Sequence, residues 1–462
     1  MAEARLPQKF FVTACAFTRS TNVAARFVGA APFLPALFVL RYANMGGLDH
    51  ASFARQIRDA RSFRDDRWCR HWNAIAEAHA RRAADFLREL AGGDSAVPDL
   101  TDPNLAAAEH SDGLAAWIAP AAELFADHGP QADPRTIVEL VEEHVPSGDR
   151  ERITLAFRVI DAWVKAITYY QVSAFPGHDP QRMQAYRRSR NLFDILVAAM
   201  LPALGLTVEK VEIPVVGTDS AHGYLILPPG PGPHAVVLTT NGLEGTVQEL
   251  AIPQLRYRES GMAMFLMEMP GSYAYTDSMG PQSEAIYHHV IEHLASDTRL
   301  DADRIAMVGV SFGGYWTARM AATSDRLACA IACGAPTHRS FHGGALGTPQ
   351  IILHALANTV GAAHPIDLIS RLRALSIRDR YSDITIPLLV INGDHDTLLD
   401  TQDSRDLAAA AGNATLLLYP DDDHCAMGHY RQWLDHSQLW LLEHLAVTDA
   451  GSTARRRGPS RR

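Results

Sequence analysis

A serine lies between two glycines at the point where an apolar run ends. The stretch VGVSFGGYW, residues 308–316, follows RIAM and places Ser311 between Gly309 and Gly313. In a G-x-S-x-G turn between a strand and a helix, the glycines allow a sharp bend that presents the serine hydroxyl as a nucleophile. A serine hydroxyl is weakly nucleophilic at neutral pH, so it needs a base, and the base needs an orienting carboxylate. The chain must supply both.

Two later loops offer an acid and a base in the order serine, acid, histidine. The run that ends in INGDHDTLLD carries Asp394 and Asp396. Asp396 is the preferred acid because it lies three residues past the glycine that ends the strand, and Asp394 is the alternate. The next run leads into YPDDDHCAMGHY, where His424 lies in the loop and His429 near the final helix. The sequence predicts a triad of Ser311, His424 and Asp396.

Acyl transfer also needs hydrogen-bond donors for the oxyanion that develops on the substrate. One predicted donor is the backbone N–H of Phe312, the residue after the nucleophile. The second should come from the loop after the third strand, TTNGLEGT, where the backbone N–H of Leu243 is the candidate. An H-x-x-E-H zinc pattern occurs at His289–His293, but it lies on a helix away from the strand ends. We interpret it as a chance match and expect no metal and no organic cofactor.

The predicted secondary structure, which must position these residues, changes near residue 207. The first 205 residues are rich in Ala and Arg with helical periodicity. Short β-rich runs then alternate with helical stretches. The first two are too close for a helix between them, which predicts an antiparallel start, and later ones are spaced for parallel crossovers. The eight runs are TVEKVEIPV, GYLILP, HAVVLTT, MAMFLME, RIAMVGV, ACAIACG, PLLVIN and ATLLLY.

These runs predict an α/β-hydrolase fold, an eight-stranded and mostly parallel sheet with a large N-terminal helical cap domain. We expect the helical cap, or lid, over residues 1–205 and the catalytic domain over 206–448. The cap should pack above the carboxyl ends of the strands and exclude water from the site. Residues 449–462 are predicted to form a disordered basic tail.

Composition restricts the classes of partner. The 462 residues are 47% hydrophobic and 20% charged, typical of a soluble globular protein, and the net charge of −10 disfavours nucleic acid. The apolar stretch at 27–40 is too short to span a bilayer, and the N-terminus lacks the pattern of a signal peptide. We therefore expect a small-molecule substrate, no nucleic acid, no membrane and a homodimer built on the N-terminal arm.

Cysteine usage suggests a compartment. The five cysteines form an odd, sparse set without zinc-like pairing, which favours a reducing environment over a disulfide framework. The expected location is cytoplasmic. The five are Cys15, Cys69, Cys329, Cys333 and Cys425.

Over nearly its whole length the chain resembles one branch of the α/β-hydrolases. This branch has a large N-terminal helical domain. It includes 2,6-dihydroxypseudooxynicotine hydrolase, fungal hydrolases that shorten polyketide pigments, and bacterial fermentation-respiration switch proteins. The segments that carry the resemblance are RYANMGGLDHASF, the W-x3-W of Trp68 and Trp72, ITYYQVSAFPGHDPQRMQAYRRS, NGLEGTVQE, DADRIAMVGVSFGGYWTARMA and DDDHCAMG.

The resemblance implies cleavage of a carbon–carbon bond next to a ketone, in a β-diketone or an acyl-phenol. In this branch the loop after strand three often reads Gly-Gly-x-Asp/Glu, whereas here Asn241 replaces the first glycine and Glu244 keeps the acid. The resemblance implies that Glu244 is an accessory residue near the substrate; capping of the following helix is the alternative. Gly242, Tyr170 and His338 are further expected substrate contacts.

Three other functions use the same residues or the same scaffold. A carboxylesterase or lactonase would act on an ester with the same triad. An acyltransferase or cyclase of secondary metabolism would let a substrate group, rather than water, intercept the acyl-enzyme. A regulatory binding protein would need no chemistry, and the intact Ser311, Asp396 and His424 argue against it.

Overall fold

The computed structural model describes residues 6–93, 97–102, 105, 111–129, 136–343 and 347–447. These residues form two compact units. One holds the described chain up to Gly205, together with Ala251–Leu255 and the described part of 344–356, and the other holds the remainder. The basic tail predicted at 449–462 lies outside the described residues.

The first unit is helical. Side chains cap the first turn of two of its helices: Asp49 accepts a hydrogen bond from the N–H of Ser52 at 2.8 Å, and Thr136 forms a capping box with Glu139. The helices are α1 Leu6–Phe17, α2 Thr21–Val28, α3 Phe38–Gly46, α4 His50–Asp59, α5 Asp65–Leu90, α6 Ser111–His128, α7 Ile137–His144, α8 Arg150–Ala174 and α9 Pro180–Met200.

Helix α8 forms the centre of this unit. Between Ala162 and Ala174 every residue except Lys165 is buried, so this part of the helix is surrounded by other residues on all sides. It packs against α5, α6 and α9. Two buried indoles join it to its own unit through hydrogen bonds, from Trp163 Nε1 to the carbonyl of Leu192 at 3.1 Å and from Trp68 Nε1 to that of Val172 at 2.9 Å.

The second unit contains an eight-stranded sheet in the order β1-β2-β4-β3-β5-β6-β7-β8. The pairs β1/β2 and β2/β4 are antiparallel and the other pairs are parallel, which confirms the predicted antiparallel start. The strands are β1 Thr207–Ile213, β2 Ala221–Leu227, β3 His234–Thr240, β4 Ala263–Met267, β5 Leu300–Val310, β6 Leu327–Cys333, β7 Leu388–Gly393 and β8 Ala414–Tyr419.

Strand β5 is longer than the run RIAMVGV predicts. It begins at Leu300, because Leu300 pairs with His234 across a register shift in the β3/β5 ladder. Strands β4 and β7 are buried at every position, as expected for strands covered on both faces, whereas the edge strand β8 is partly exposed.

Helices connect these strands, and one more follows the last strand. They are α10 Val247–Gln254, α11 Glu284–Ser296, α12 Phe312–Thr323, α13 Arg339–His342, α14 Gln350–Val360, α15 Pro365–Arg373, α16 Gln402–Ala410 and α17 Tyr430–His444. The carboxyl ends of parallel strands meet at one edge of a sheet, so the loops after β3, β5, β7 and β8 are brought together there. In the described part of the chain, no helix combines the length and the apolar character needed to cross a bilayer.

The packing around α8 predicts a large difference between two aromatic truncations. Trp163 is fully buried, whereas Phe17 on α1 is 80% exposed. We expect Trp163→Ala to lower the free energy of unfolding by about 3–5 kcal/mol, because it leaves a cavity in the core. Phe17→Ala should change it by less than about 0.5 kcal/mol. Urea unfolding followed by circular dichroism measures both, and equal midpoints would contradict the assignment of α8 as the core.

Candidate active site

Ser311 joins β5 to α12 in a backbone conformation that residues with a side chain rarely adopt. Its φ and ψ are 59° and −122°. The turn is held by two backbone hydrogen bonds: the N–H of Ser311 donates to the carbonyl of Cys333 on β6 at 2.7 Å, and its own carbonyl accepts from Tyr315 on α12 at 3.1 Å. The strand, the strained turn and the helix together form a nucleophile elbow.

The glycines around Ser311 are required by close backbone approach. A Cβ on Gly309 would collide with the carbonyl of Gly313, and a Cβ on Gly313 would collide with the carbonyl of Thr240 on β3. A Cβ on Gly314 would lie 2.8 Å from the carbonyl of Cys333. The G-x-S-x-G-G spacing therefore fits α12 tightly against the sheet.

A continuous hydrogen-bond chain joins the serine to a buried carboxylate. His424 Nε2 lies 2.9 Å from Ser311 Oγ, and His424 Nδ1 lies 2.7 Å from Asp396 Oδ2. The side chains of His424 and Asp396 are 4% and 0% exposed. An imidazole in this position can accept the serine proton while the carboxylate fixes its tautomer and orientation.

The two alternate residues lie in other contacts. Asp394 accepts a hydrogen bond from its exposed neighbour His395 at 2.6 Å. His429 Nδ1 bonds to Asp422 at 2.8 Å, and its ring stacks on Tyr419. The hydrogen-bond chain from the serine runs through the preferred pair.

The charges of the pair stabilise each other. Burial raises the pKa of Asp396, but the charge of His424 and several hydrogen bonds outweigh burial and leave that pKa below its usual range. Its Oδ1 accepts from the N–H groups of Leu398 and Leu399 at 2.9 and 2.8 Å. Burial alone would lower the pKa of His424, but the Asp396 carboxylate outweighs it and raises that pKa. The imidazolium formed during proton transfer is thereby stabilised.

The loop after β3 lies directly against the nucleophile. A Cβ on Gly242 would lie 2.5 Å from Ser311 Cβ. The loop is closed by two hydrogen bonds, from Asn241 Nδ2 to the carbonyl of Thr246 at 2.7 Å and from the N–H of Gly245 to the carbonyl of Gly242 at 3.0 Å. Asn241 thus replaces a glycine with a side chain that closes the loop. Leu243 follows Gly242 at this point.

Glu244 is buried in the same turn, with a φ of 55°. The first N–H groups of the following helix are capped by two other carboxylates. The N–H of Thr246 donates to Glu249 at 3.4 Å, and that of Val247 donates to Glu268 at 3.3 Å. Glu249 and Glu268 thus contribute to the capping of this helix.

Two further expected substrate contacts, His338 and Tyr170, lie outside the hydrogen-bond chain from Ser311 to Asp396. His338 Nδ1 lies 2.8 Å from Ser376 Oγ, and burial lowers the pKa of its ring. The backbone around His338 is held by the buried carboxylate of Asp403, which accepts the N–H groups of residues 337–340. Tyr170 lies in α8 of the helical unit, where burial raises the pKa of its phenol.

The sequence did not reveal the residues that hold the two loops carrying Asp396 and His424. Asp423 Oδ1 accepts the N–H of His424 at 2.8 Å and that of Thr397 at 2.7 Å. Asp422 accepts the N–H groups of Gly428 and His429, both at 3.0 Å. The run DDD reads as a solvated loop, so only its position beside a candidate base could have signalled this role.

The H-x-x-E-H segment lies on α11. There Glu292 pairs with Arg326 at 3.0 Å, and His289 Nδ1 bonds to the carbonyl of Ala285. Among the residues that the structure describes, no group of three or more His, Cys, Asp or Glu side chains is arranged to hold a metal ion.

The sequence of this chain is similar to those of known proteins. A family model described as Esterase FrsA-like matches residues 156–445. Esterase FrsA of Enterobacter sp. (strain 638) is 25% identical over 206 residues, 43% of this chain and 49% of that protein. The 2,6-dihydropseudooxynicotine hydrolase of Paenarthrobacter nicotinovorans is 27% identical over 264 residues, 55% of this chain and 68% of that protein. The match thus spans about half the length of the first relative.

Solved structures share the fold. The crystal structure of 2,6-dihydroxy-pseudo-oxynicotine hydrolase has a TM-score of 0.60 at 18% identity, with 89% of this chain and 99% of that chain covered. AbyA5 has a TM-score of 0.55 at 20% identity, with 72% and 95% covered. These similarities confirm the predicted α/β-hydrolase fold with a helical N-terminal region.

The hydrogen bond between His424 and Asp396 predicts a change in pH dependence. Labelling of Ser311 by a fluorophosphonate needs neutral His424, so its rate should fall as pH falls through the pKa of His424. The Asp396 carboxylate raises that pKa. Asp396→Asn should therefore move the acid limb to lower pH and slow labelling by about 10³- to 10⁴-fold. Asp394→Asn is the matched control, and equal losses in the two variants would refute the assignment.

Because Gly242 lies so close to Ser311, we expect position 242 not to tolerate any residue larger than glycine. Gly242→Ala should displace the nucleophile or the loop, because the new methyl group would lie 2.9 Å from Ser311 Oγ. We expect at least about a tenfold loss in labelling rate, equivalent to about 1.4 kcal/mol. Gly412→Ala, whose Cβ would lie 3.6 Å from its nearest neighbour, is the control and should label normally.

Proposed function

Because the chain belongs to the family of FrsA-like esterases, we propose that it is a serine hydrolase that cleaves a bond next to a carbonyl group through an acyl-enzyme. The observation that carries this proposal is the unbroken chain from Ser311 Oγ through His424 to the buried Asp396 carboxylate, at 2.9 and 2.7 Å. The strained elbow beneath the serine supports it, because such strain is retained where the surrounding structure and function require it.

The first half of the reaction forms the acyl-enzyme. Ser311 Oγ adds to the substrate carbonyl carbon while His424 Nε2 takes the serine proton. The carbonyl oxygen becomes an oxyanion, which we assign to the backbone N–H groups of Phe312 and Leu243. Asp396 stabilises the imidazolium that forms.

The second half depends on the leaving group. Collapse of the tetrahedral intermediate breaks the bond to the carbonyl carbon, and the departing pair of electrons takes a proton from His424. A carbon leaving group departs as an enolate or as the carbanion of a phenol ring, whereas an ester releases an alcohol. Water, activated by the same histidine, then adds to the acyl-enzyme and releases the acid and Ser311.

Two substrate classes have support. We propose a ketone, cleaved at the adjacent carbon–carbon bond, because the chain resembles the branch named above and is similar to a 2,6-dihydropseudooxynicotine hydrolase. A carboxylic ester is the second candidate, because other relatives are named as esterases. Gly242, which lies against the nucleophile, and the buried Glu244 are the proposed contacts for either substrate.

A matched pair of substrates tests the proposal. An aryl β-diketone or an acyl-phenol is compared with an aryl ester of the same acyl group, and the products are identified by mass spectrometry. We expect cleavage of the ketone at the carbon–carbon bond, with a loss of at least about 10⁴-fold in Ser311→Ala.

The products separate the alternatives. Cleavage of the ester alone would overturn the carbon–carbon assignment and leave an esterase. A rearranged product without added water would indicate an acyltransferase or cyclase. Undiminished turnover in Ser311→Ala would overturn the serine mechanism altogether.

A further inference from the structure

One amide side chain contacts both loops that carry the acid and the base. Asn392 lies in β7, whose residues are all buried, and is itself 2% exposed. Its Nδ2 donates to Asp396 Oδ2 at 3.0 Å. Its Oδ1 accepts from the N–H of Cys425, the residue after His424, at 2.9 Å, and from the N–H of Gly393 at 2.9 Å.

The chemistry of these partners fixes the orientation of the amide. An ionised carboxylate only accepts hydrogen bonds, and a backbone N–H only donates them. A flipped amide would place its oxygen against Asp396 and its NH2 group against two N–H donors. Asn392 can therefore satisfy all three partners in only one orientation of its amide. In that orientation, its side chain links the Asp396 carboxylate to the turn after His424.

That turn is strained. Cys425 and Ala426 have φ values of 58° and 48°, in the left-handed region that residues with a side chain rarely adopt. The N–H of Cys425 is held by Asn392, and that of Ala426 donates to the carbonyl of Asp423 at 2.9 Å. Loss of the bond to Asn392 would leave a buried N–H without its acceptor directly beside the catalytic histidine.

We propose that Asn392 is a positioning residue that aligns the base with its acid, an inference that rests on the proposed serine mechanism. It acts through Asp396 and through the backbone next to His424. Its donor reaches the same carboxylate oxygen that accepts the hydrogen bond from His424, so it fixes the direction from which that oxygen faces the imidazole. Asp423, in contrast, holds only backbone N–H groups and the Thr397 hydroxyl of the two loops.

The groups around the amide make an aspartate substitution informative. Asp396 faces it from the loop after β7, and His424 and Cys425 face it from the loop after β8. Cys425 contributes its backbone N–H, and burial raises the pKa of its thiol. In Asn392→Asp, two carboxyl groups would share one site, so one of them holds a proton until the pH is high. The protonated form keeps a donor to Asp396, whereas the ionised form repels it.

The test measures hydrolysis of p-nitrophenyl butyrate and labelling by a fluorophosphonate in full-length protein between about pH 5 and pH 10. Asn392→Ala should lower kcat about 10- to 100-fold with little change in KM. Asn392→Asp should give a bell-shaped profile: activity rises with pH as His424 loses its proton, and then falls at alkaline pH, where the protein with Asn392 reaches a plateau.

A neighbouring hydroxyl supplies the control. Ser404 Oγ lies 3.5 Å from Asn392 Nδ2, and Ser404→Ala preserves both contacts of the amide to the catalytic loops. It should leave kcat and the pH profile unchanged.

Different results would contradict the positioning role of Asn392 and the serine mechanism on which that role rests. A lower Tm in Asn392→Ala with unchanged kcat, or an alkaline plateau in Asn392→Asp, would assign Asn392 a structural role and overturn the positioning role. Undiminished activity in Ser311→Ala would instead overturn the serine mechanism, whatever the Asn392 variants do.

Discussion

The site depends on holding Ser311 in a backbone conformation that costs about 1–3 kcal/mol. Its N–H is fixed to β6 through Cys333, and its carbonyl begins the hydrogen bonding of α12. The buried strands and the helix supply the packing that offsets this cost. Strand β5 ends and α12 starts at this residue, so the serine hydroxyl faces the loops from β3, β7 and β8. The hydrogen-bond chain to Asp396 then needs only short loops to complete it.

Much of this arrangement could be predicted from the sequence. Apolar runs with the spacing of strands and crossovers have a recognisable period, and the serine, acid and histidine follow them in a set order. The strand ends were harder to predict. Leu300 belongs to β5 because of its pairing with His234, a partner more than sixty residues away, and no local pattern indicates such a pairing.

The supporting contacts of the site could not be predicted in the same way. Asn392 stands out only as an amide in an apolar run, and Asp422 and Asp423 look like a charged turn. Most of their partners are backbone N–H groups, which every residue except proline has, so the sequence carries no mark of these pairings. Asn241 is similar: the sequence shows a side chain in place of a glycine, but it does not indicate that this side chain closes the loop after β3.

The glycines packed around Ser311 also limit how this site can diversify. At Gly242, Gly309, Gly313 and Gly314 even a methyl group meets neighbouring atoms, so mutational drift has almost no tolerated alternatives there. The backbone packed around Ser311 therefore cannot change its shape through substitutions at these glycines. Selection for a new substrate, in nature or in a directed-evolution library, therefore has to act on other positions.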